Sequence, residues 1–124
     1  MLRVLIVEDN GIFRETFRKG LLEYFPSMLI EEAANGDEAL QIIQEGPPHL
    51  IFMDIRLPGV NGLQLTQRVK KNFPDINIAI LTDFDLPEYR QAAVQYGADR
   101  FYVKGSFKWD ELEALVKSIS PGVP

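Results

Sequence analysis

The sequence predicts an α/β fold in which five strand–helix units form a doubly wound, parallel, five-stranded sheet. The chain has 124 residues, which suits one compact domain and is too short for two. Short apolar runs alternate five times with longer segments whose apolar residues recur every three or four positions. Strands joined by crossover helices lie parallel, and right-handed crossovers place helices on both faces of the sheet.

The strands are predicted where aliphatic and β-branched residues cluster. Leu2–Val7 has Arg3 as its only polar residue, which is typical of a strand buried on both faces. Met28–Ala34 is a weaker strand. The other three are predicted at Leu50–Met53, Asn77–Leu81 and Arg100–Val103.

The first two helices follow from apolar periodicity and from the residues at their ends. Phe13, Phe17 and Leu21 recur every four residues, and Asn10 precedes them as a candidate N-cap. The second helix is predicted over Gly36–Glu45, because a Gly-Pro-Pro sequence follows it and stops a helix.

The last three helices are marked in the same way. Apolar residues spaced by four indicate a third helix, which Pro74 ends. Pro87 suits the first turn of a fourth helix, and Gly97 follows where helices commonly end. The fifth helix has apolar residues three, four and seven apart within Leu112–Ile119, and Pro121-Gly122 breaks it.

Composition excludes several classes of function. The absence of cysteine removes disulfide scaffolds, thiol nucleophiles and cysteine-ligated metals, and a single histidine cannot build a multi-histidine metal site. A net charge of −5 makes a poor phosphate-backbone binder, so we expect no direct nucleic acid binding by this segment. No apolar run approaches a membrane span and no signal sequence is evident, so we expect a cytoplasmic location without membrane contact.

Carboxylates follow the first and third predicted strands. Glu8 and Asp9 come directly after one, where a dinucleotide-binding protein would have a glycine-rich turn, and Asp54 follows the other. If these strands are neighbours, three like charges share one cleft and a divalent cation would stabilise them. Oxygen ligands alone favour Mg²⁺. Taken by themselves, Glu8 and Asp9 could equally serve only to start the first helix.

Two further polar residues follow the remaining strands. Thr82 offers a hydroxyl at the end of the fourth strand, and Lys104 offers an ammonium after the fifth. Acids for a cation, with a hydroxyl and a lysine for an anion, predict a site for a phosphoryl group, with one carboxylate as the nucleophile.

In these motifs the chain resembles the receiver domains of two-component response regulators over nearly its whole length. The resemblance implies a flavodoxin-like or CheY-like sheet with the strand order 2-1-3-4-5. It also implies a receiver domain over residues 1–120, with residues 121–124 starting a linker or tail. The motifs are Leu5–Asp9, Met53–Gly59 with Asn61-Gly62, Leu81-Thr82, and Gly97–Asp99 leading to Lys104.

The resemblance assigns the acceptor and the metal ligands. Asp54 would accept a phosphoryl group from a phosphohistidine of a sensor histidine kinase. Glu8, Asp9 and the backbone carbonyl of Arg56 would join Asp54 in binding Mg²⁺. Such a domain catalyses its own phosphorylation and dephosphorylation but is no enzyme for an external substrate.

The resemblance also assigns a switch. Lys104 and Thr82 would each contact a phosphoryl oxygen, and Phe101 would turn inward with Thr82. The face of the fourth helix, fifth strand and fifth helix would then control an output and is a candidate homodimer surface. The sequence around Asp54 and Lys104-Gly105 most resembles receivers of transcription factors with a helix-turn-helix domain, which would lie outside this segment. A stand-alone receiver would look similar, so that alternative stays open.

Two positions depart from the family pattern, and two more bear on how long a phosphoryl group persists. Gly105 follows Lys104 where proline is usual, so the geometry of that peptide bond is left open. Asp83 replaces a small residue and adds a carboxylate near the cleft. Arg56 and Phe84 occupy positions that influence phosphoryl lifetime in the family, in a direction that the sequence does not indicate.

Two other classes of function compete with this interpretation. A phosphohydrolase of the haloacid dehalogenase type needs a second Asp two residues after the nucleophile, where this chain has Arg56. A flavodoxin-like flavin carrier would place a phosphate near Glu8 and Asp9, which would repel it. Both are therefore less well supported than the receiver.

Overall fold

A computed structural model of the chain describes residues 1–119 and contains five strands and five helices in alternation. The strands are β1 (Arg3–Val7), β2 (Leu29–Ala33), β3 (Leu50–Met53), β4 (Asn77–Thr82) and β5 (Arg100–Val103). The helices are α1 (Gly11–Tyr24), α2 (Gly36–Glu45), α3 (Gly62–Asn72), α4 (Pro87–Gln95) and α5 (Trp109–Ile119). The predicted linker start at 121–124 lies outside the described residues.

The sheet has the predicted strand order. All neighbouring strands pair in parallel in the order β2-β1-β3-β4-β5, which confirms the doubly wound α/β fold. β1 and β3 are direct neighbours, and Val7 lies opposite Met53 in their register. The residues that follow these two strands therefore emerge side by side at the carboxyl edge of the sheet.

Side chains of the central strands alternate between two hydrophobic clusters, one on each face. Leu5 and Val7 point to the cluster covered by α2, α3 and α4, whereas Val4 and Ile6 point to the cluster covered by α1 and α5. Helices pack on both faces, so β1 and β3 are buried on both sides, as their continuous apolar runs predict. β2 lies at an edge and is mostly exposed, which explains its weaker apolar pattern.

Three helices begin with an asparagine cap. The side chains of Asn10, Asn35 and Asn61 each accept a backbone N–H from the first turn of α1, α2 and α3, respectively. Asn10 confirms the cap predicted from the sequence. Pro87 occupies the first turn of α4, and Gly97 follows that helix with a φ of 97°. Within residues 1–119, no helix is long and apolar enough to cross a membrane.

Some predicted strand limits differ from the observed ones by one residue. β1 begins at Arg3 instead of Leu2, and β2 is shorter by one residue at each end. β4 extends through Thr82, because Thr82 pairs with Val103 and its carbonyl accepts the Lys104 N–H at 2.8 Å. This extension places Thr82 inside the sheet, where its side chain is fully buried.

Candidate functional site

The carboxyl ends of β1 and β3 bring Glu8 and Asp54 to one edge of the sheet. The Asp54 N–H donates to the Val7 carbonyl at 3.0 Å, so Asp54 continues the pairing of β3 with β1. The Glu8 N–H donates to the Ala33 carbonyl of β2 at 2.9 Å. Backbone hydrogen bonds between β1 and its two neighbouring strands thus fix the positions of both residues.

Glu8, Asp9 and Asp54 form an acidic cluster, as the sequence predicts. One carboxylate oxygen from each lies within 4.8 Å of the others. Glu8 and Asp54 are buried, with exposed fractions of 3% and 8%, whereas Asp9 is exposed at the surface of the cluster. Three close carboxylate oxygens with one open side fit a hard divalent cation such as Mg²⁺, which keeps several waters.

Lys104 brings a positive charge to this cluster. Its ammonium donates to Glu8 Oε1 and lies 3.6 Å from Asp54 Oδ2. It also lies 4.5 Å from the ring centroid of Phe13 on α1, a cation–π contact. The Lys104 side chain is only 8% exposed, so the ammonium is held within the site and not in solvent.

Burial shifts the protonation of the central acid. Desolvation, followed by the neighbouring charge of Glu8, raises the pKa of Asp54 from 3.8 to about 7, although Lys104 opposes this shift. Burial alone would lower the pKa of Lys104, but its hydrogen bond to Glu8 and the charge of Asp54 raise that pKa above its usual value. Lys104 therefore stays charged, while Asp54 titrates near neutral pH when no cation is bound.

Asp54 has two inequivalent oxygens. Oδ1 accepts the N–H of the next residue, Ile55, at 2.9 Å, which fixes the orientation of the carboxylate. Oδ2 is the oxygen that faces Lys104. One oxygen is thus engaged by the backbone, and the other faces the charged groups of the site.

Thr82 lies at the end of β4, next to the strand that carries Asp54. Its Oγ1 accepts the backbone N–H of Phe84 at 3.3 Å, a weak contact that holds the hydroxyl within the loop after β4. Phe101 on β5 is half-buried, and the guanidinium of Arg90 lies 4.7 Å from its ring centroid. The two predicted switch residues therefore lie on adjacent strands. Thr82 contacts Phe84 in the loop after β4, and Phe101 contacts Arg90 on α4.

The loops after β3 and β4 meet above the site. The guanidinium of Arg56 stacks on the ring of Phe84 with 4.0 Å to its centroid. Asp83 is largely exposed, and its Oδ2 lies 3.9 Å from the Lys104 ammonium. The carboxylate that the sequence adds at position 83 thus lies at the mouth of the site and is paired weakly with Lys104.

The residue after Lys104 does not disturb the backbone. The described residues contain no cis peptide bond, so Lys104 and Gly105 are joined in trans. Backbone N–H groups of Ser106 and Phe107 both donate to the Val103 carbonyl at 3.0 Å and form a turn. This turn leads the chain from Lys104 towards α5.

Sequence reasoning missed several residues that shape the site. The Asn10 N–H donates to Glu8 Oε2 at 3.1 Å, so Asn10 orients Glu8 besides capping α1. Gly62 packs against the backbone of Asp54, and a Cβ there would lie 1.8 Å from the Asp54 carbonyl oxygen. Arg14 donates to the Glu8 carbonyl at 2.6 Å. The Asn-Gly pair at 61–62 was a visible signal, whereas nothing local in the sequence marked Arg14.

The fold and the site define a class of protein: a parallel α/β domain with an acidic pocket and a lysine where the strand order reverses. Comparison with known families gives the particular one. Residues 4–117 match the response regulator receiver domain family, and the chain belongs to that family. Receiver domains are the signalling domains of response regulators.

Individual relatives agree with this assignment. The transcriptional regulatory protein YhcZ of Bacillus subtilis is 34% identical over 121 residues, which cover 94% of this chain and 53% of YhcZ. The response regulator TrrA of Thermotoga maritima, solved in complex with Mg²⁺-BeF, is 35% identical, with a TM-score of 0.83 over 96% of this chain and 99% of that one. A LuxR-family DNA-binding response regulator from Staphylococcus aureus is 26% identical, with a TM-score of 0.84 over 96% and 98%.

The chain spans about half the length of curated relatives that it matches, such as YhcZ and the response regulator GacA of Pseudomonas protegens. The rest of each of those relatives has no counterpart in these 124 residues. What the receiver domain controls is therefore a separate question from what the receiver domain is.

Proposed function

We propose that this receiver domain accepts a phosphoryl group on Asp54, in a Mg²⁺-dependent transfer from a phosphohistidine of a sensor histidine kinase. The observation that supports it most is the acidic cluster, in which oxygens of Glu8, Asp9 and Asp54 lie within 4.8 Å beside the buried Lys104 ammonium. A nucleophilic carboxylate, a place for a cation and a fixed positive charge are the groups that phosphoryl transfer requires.

In this transfer a carboxylate oxygen of Asp54 attacks phosphorus, so that the O–P bond forms and the P–N bond to imidazole breaks. The bonding electrons leave with the imidazole nitrogen, which takes up a proton from solvent water, and the ring departs neutral. Asp54 must be ionised to attack, and its pKa of about 7 in the absence of a cation means that much of it is protonated near neutral pH. Lys104 is positioned to neutralise charge on a phosphoryl oxygen, because its ammonium lies 3.6 Å from Asp54 Oδ2.

Glu8, Asp9, Asp54 and the backbone carbonyl of Arg56 are the proposed Mg²⁺ ligands. Bound Mg²⁺ supplies positive charge that favours the ionised carboxylate and the phosphoryl oxygens. The donor set contains only oxygens, as this ion prefers. The similarity to TrrA, solved with Mg²⁺-BeF, supports the same choice of metal.

The proposed switch runs from Thr82 to Phe101. Thr82 would exchange its weak contact with the Phe84 N–H for a hydrogen bond to the phosphoryl group. Phe101, on the adjacent strand, would then turn inward and leave Arg90. Because Phe101 has no hydroxyl, packing alone would stabilise its inward position, and the α4-β5-α5 face would change shape and serve as a homodimer surface.

The output is proposed to be control of transcription in the cytoplasm. The LuxR-family DNA-binding response regulator and the transcriptional regulatory protein YhcZ support an output through a DNA-binding domain outside this segment. Residues 1–120 would form the receiver, and residues 121–124 would begin the connection to that domain. The acidic receiver itself would not contact DNA.

Intact-mass measurement after incubation with acetyl phosphate and Mg²⁺ tests the acceptor. We expect one added phosphoryl group, lost when Mg²⁺ is omitted and lost in Asp54→Asn. Asp75→Asn, which changes an exposed acid at the opposite edge of the sheet, is the matched control and should be modified like the wild type. An adduct that persists in Asp54→Asn would rule out Asp54 as the acceptor.

A further inference from the structure

Arg14, on the first turn of α1, bridges three parts of the molecule around the acidic cluster. Its Nη1 donates to the backbone carbonyl of Glu8 at 2.6 Å, and its Nε donates to Glu32 Oε1 on β2 at 3.0 Å. Its Nη2 lies near the start of α1, 3.8 Å from the position that a Cβ on Gly11 would take. The contacts fix the planar group at two separate nitrogens.

These contacts complete the support of Glu8. Its N–H donates to Ala33, its Oε2 accepts from Asn10, its Oε1 pairs with Lys104, and its carbonyl accepts from Arg14. Arg14 is the one of these four partners whose side chain binds the backbone of Glu8. That loop carries both Glu8 and Asp9, two of the three acids of the cluster.

We infer that Arg14 is a positioning residue, which holds the loop of Glu8 and Asp9 in the geometry that the acidic cluster needs to bind Mg²⁺. The inference rests on the proposed function, since it concerns the same cluster. Arg14 itself contributes no carboxylate or other metal ligand. It acts through the Glu8 carbonyl, with Glu32 orienting its guanidinium.

Arg18 offers a matched control on the same helix face. Its Nε lies 3.6 Å from Glu32 Oε2, so it shares the partner and the charge of Arg14, and no contact with Glu8 is found for it among the described residues. Both side chains are partly exposed, at 23% for Arg14 and 31% for Arg18. Loss of charge, of helix packing or of the Glu32 contact should therefore affect both variants alike.

The test is a titration of the ¹⁵N-labelled protein with MgCl₂, followed by NMR, for wild type, Arg14→Met, Arg14→Lys and Arg18→Met. We expect Mg²⁺ binding to weaken roughly ten-fold in both Arg14 variants, as for other residues that orient metal ligands, and to change less than about two-fold in Arg18→Met. Arg14→Lys keeps the charge but cannot donate to Glu8 and Glu32 in the same planar geometry. Equal Mg²⁺ affinities for Arg14→Met and Arg18→Met would overturn the inference.

A purely electrostatic role gives the opposite result. If Arg14 acts only as a positive charge, its removal in Arg14→Met should tighten Mg²⁺ binding and Arg14→Lys should match the wild type. That pair of results would also overturn the inference. Repeating the titration at higher ionic strength strengthens the distinction, because screening weakens a charge effect and leaves a geometric one.

Hydrogen exchange of the Glu8 and Asn10 amides, measured on the same samples without Mg²⁺, separates this inference from the proposed function. Both amides are hydrogen-bonded in the loop, so we expect faster exchange in the Arg14 variants than in Arg18→Met. If the wild type shows no response to MgCl₂ but exchange rises only in the Arg14 variants, the proposed metal site fails and the positioning role stands. Unchanged exchange in the Arg14 variants would overturn the role of Arg14.

Discussion

The ammonium of Lys104 pairs with the carboxylate of Glu8 inside the site, and both side chains are more than nine-tenths buried. The same ammonium lies farther from Asp54, at 3.6 Å. Lys104 therefore stabilises two buried acids at once in the absence of a cation. A buried charge of this kind is costly to leave without its partner.

Lys104→Met should destabilise the metal-free protein. Two buried carboxylates would lose their positive neighbour, which we expect to cost about 3–5 kcal/mol in the free energy of unfolding. Urea unfolding at pH 8 in a chelating buffer measures this loss. Lys117→Met removes an exposed lysine with an i,i+4 partner and should change stability by less than about 0.5 kcal/mol. Similar losses in the two variants would contradict the role of Lys104.

The stability of the metal-free protein should fall as pH rises from about 4 to about 7. The pKa of Asp54 is raised from 3.8 to about 7 by burial and by Glu8, so the folded protein holds this proton more tightly than the unfolded chain does. Asp54→Asn removes this ionisation, and we expect it to stabilise the metal-free protein by roughly 4 kcal/mol at pH 8 and by little at pH 4. Thermal unfolding of both proteins across this pH range tests the prediction. A stabilisation that does not grow with pH would contradict it.

Added Mg²⁺ should remove this difference at pH 8. The ion would stabilise the wild type through the ionised acids, whereas Asp54→Asn would lack one of the carboxylates. Melting temperatures at pH 8 with and without MgCl₂ measure the effect, with CaCl₂ as a comparison cation. Equal Mg²⁺-induced shifts in the wild type and the variant would contradict a site that includes Asp54.

Gly62→Ala should lower the stability of the protein and displace the acceptor residue Asp54. A Cβ at Gly62 would lie 1.8 Å from the backbone oxygen of Asp54, and a strand end cannot move away as a flexible side chain can. We expect a loss of roughly 3 kcal/mol and slower phosphorylation by acetyl phosphate. Gly105→Ala meets no atom within 4 Å and is the control. Equal stability of the two variants would show that Gly62 is not constrained.

Gly20→Ala should displace Trp109. The indole ring lies against Gly20 of α1, so that a Cβ there would come within 2.5 Å of it, and it stacks on Tyr24 at 5.0 Å between ring centroids. The fluorescence of Trp109, the single tryptophan, should shift as the ring leaves this packing. Gly11→Ala, on the same helix, meets only an arginine side chain at 3.8 Å and should leave the spectrum unchanged. An unchanged spectrum in Gly20→Ala would contradict this packing.

The fold could be predicted from local patterns because a doubly wound sheet requires buried strands and amphipathic helices in strict alternation along the chain. The five apolar runs and five amphipathic segments give the elements, and signals such as Asn10, Pro87 and Gly97 mark helix ends. The strand order itself came from the resemblance to a family, since a linear pattern does not state which strands are neighbours. The predicted strand ends differ from the observed ones by one residue where pairing with a neighbouring strand decides the end, as at Thr82 in β4.

The sequence by itself determined which groups stand at the carboxyl edge of the sheet: each polar residue that directly follows a buried strand must emerge there. Only the tertiary structure decided how those groups interact. Lys104 is 96 residues from Glu8 in the chain, and the two side chains are paired. Arg14 donates to the Glu8 carbonyl, and Glu32 on the edge strand β2 orients its guanidinium. Such contacts depend on side-chain direction and on packing between elements. Local periodicity indicates which residues are buried, but the contacts that they make with distant residues depend on how the elements pack.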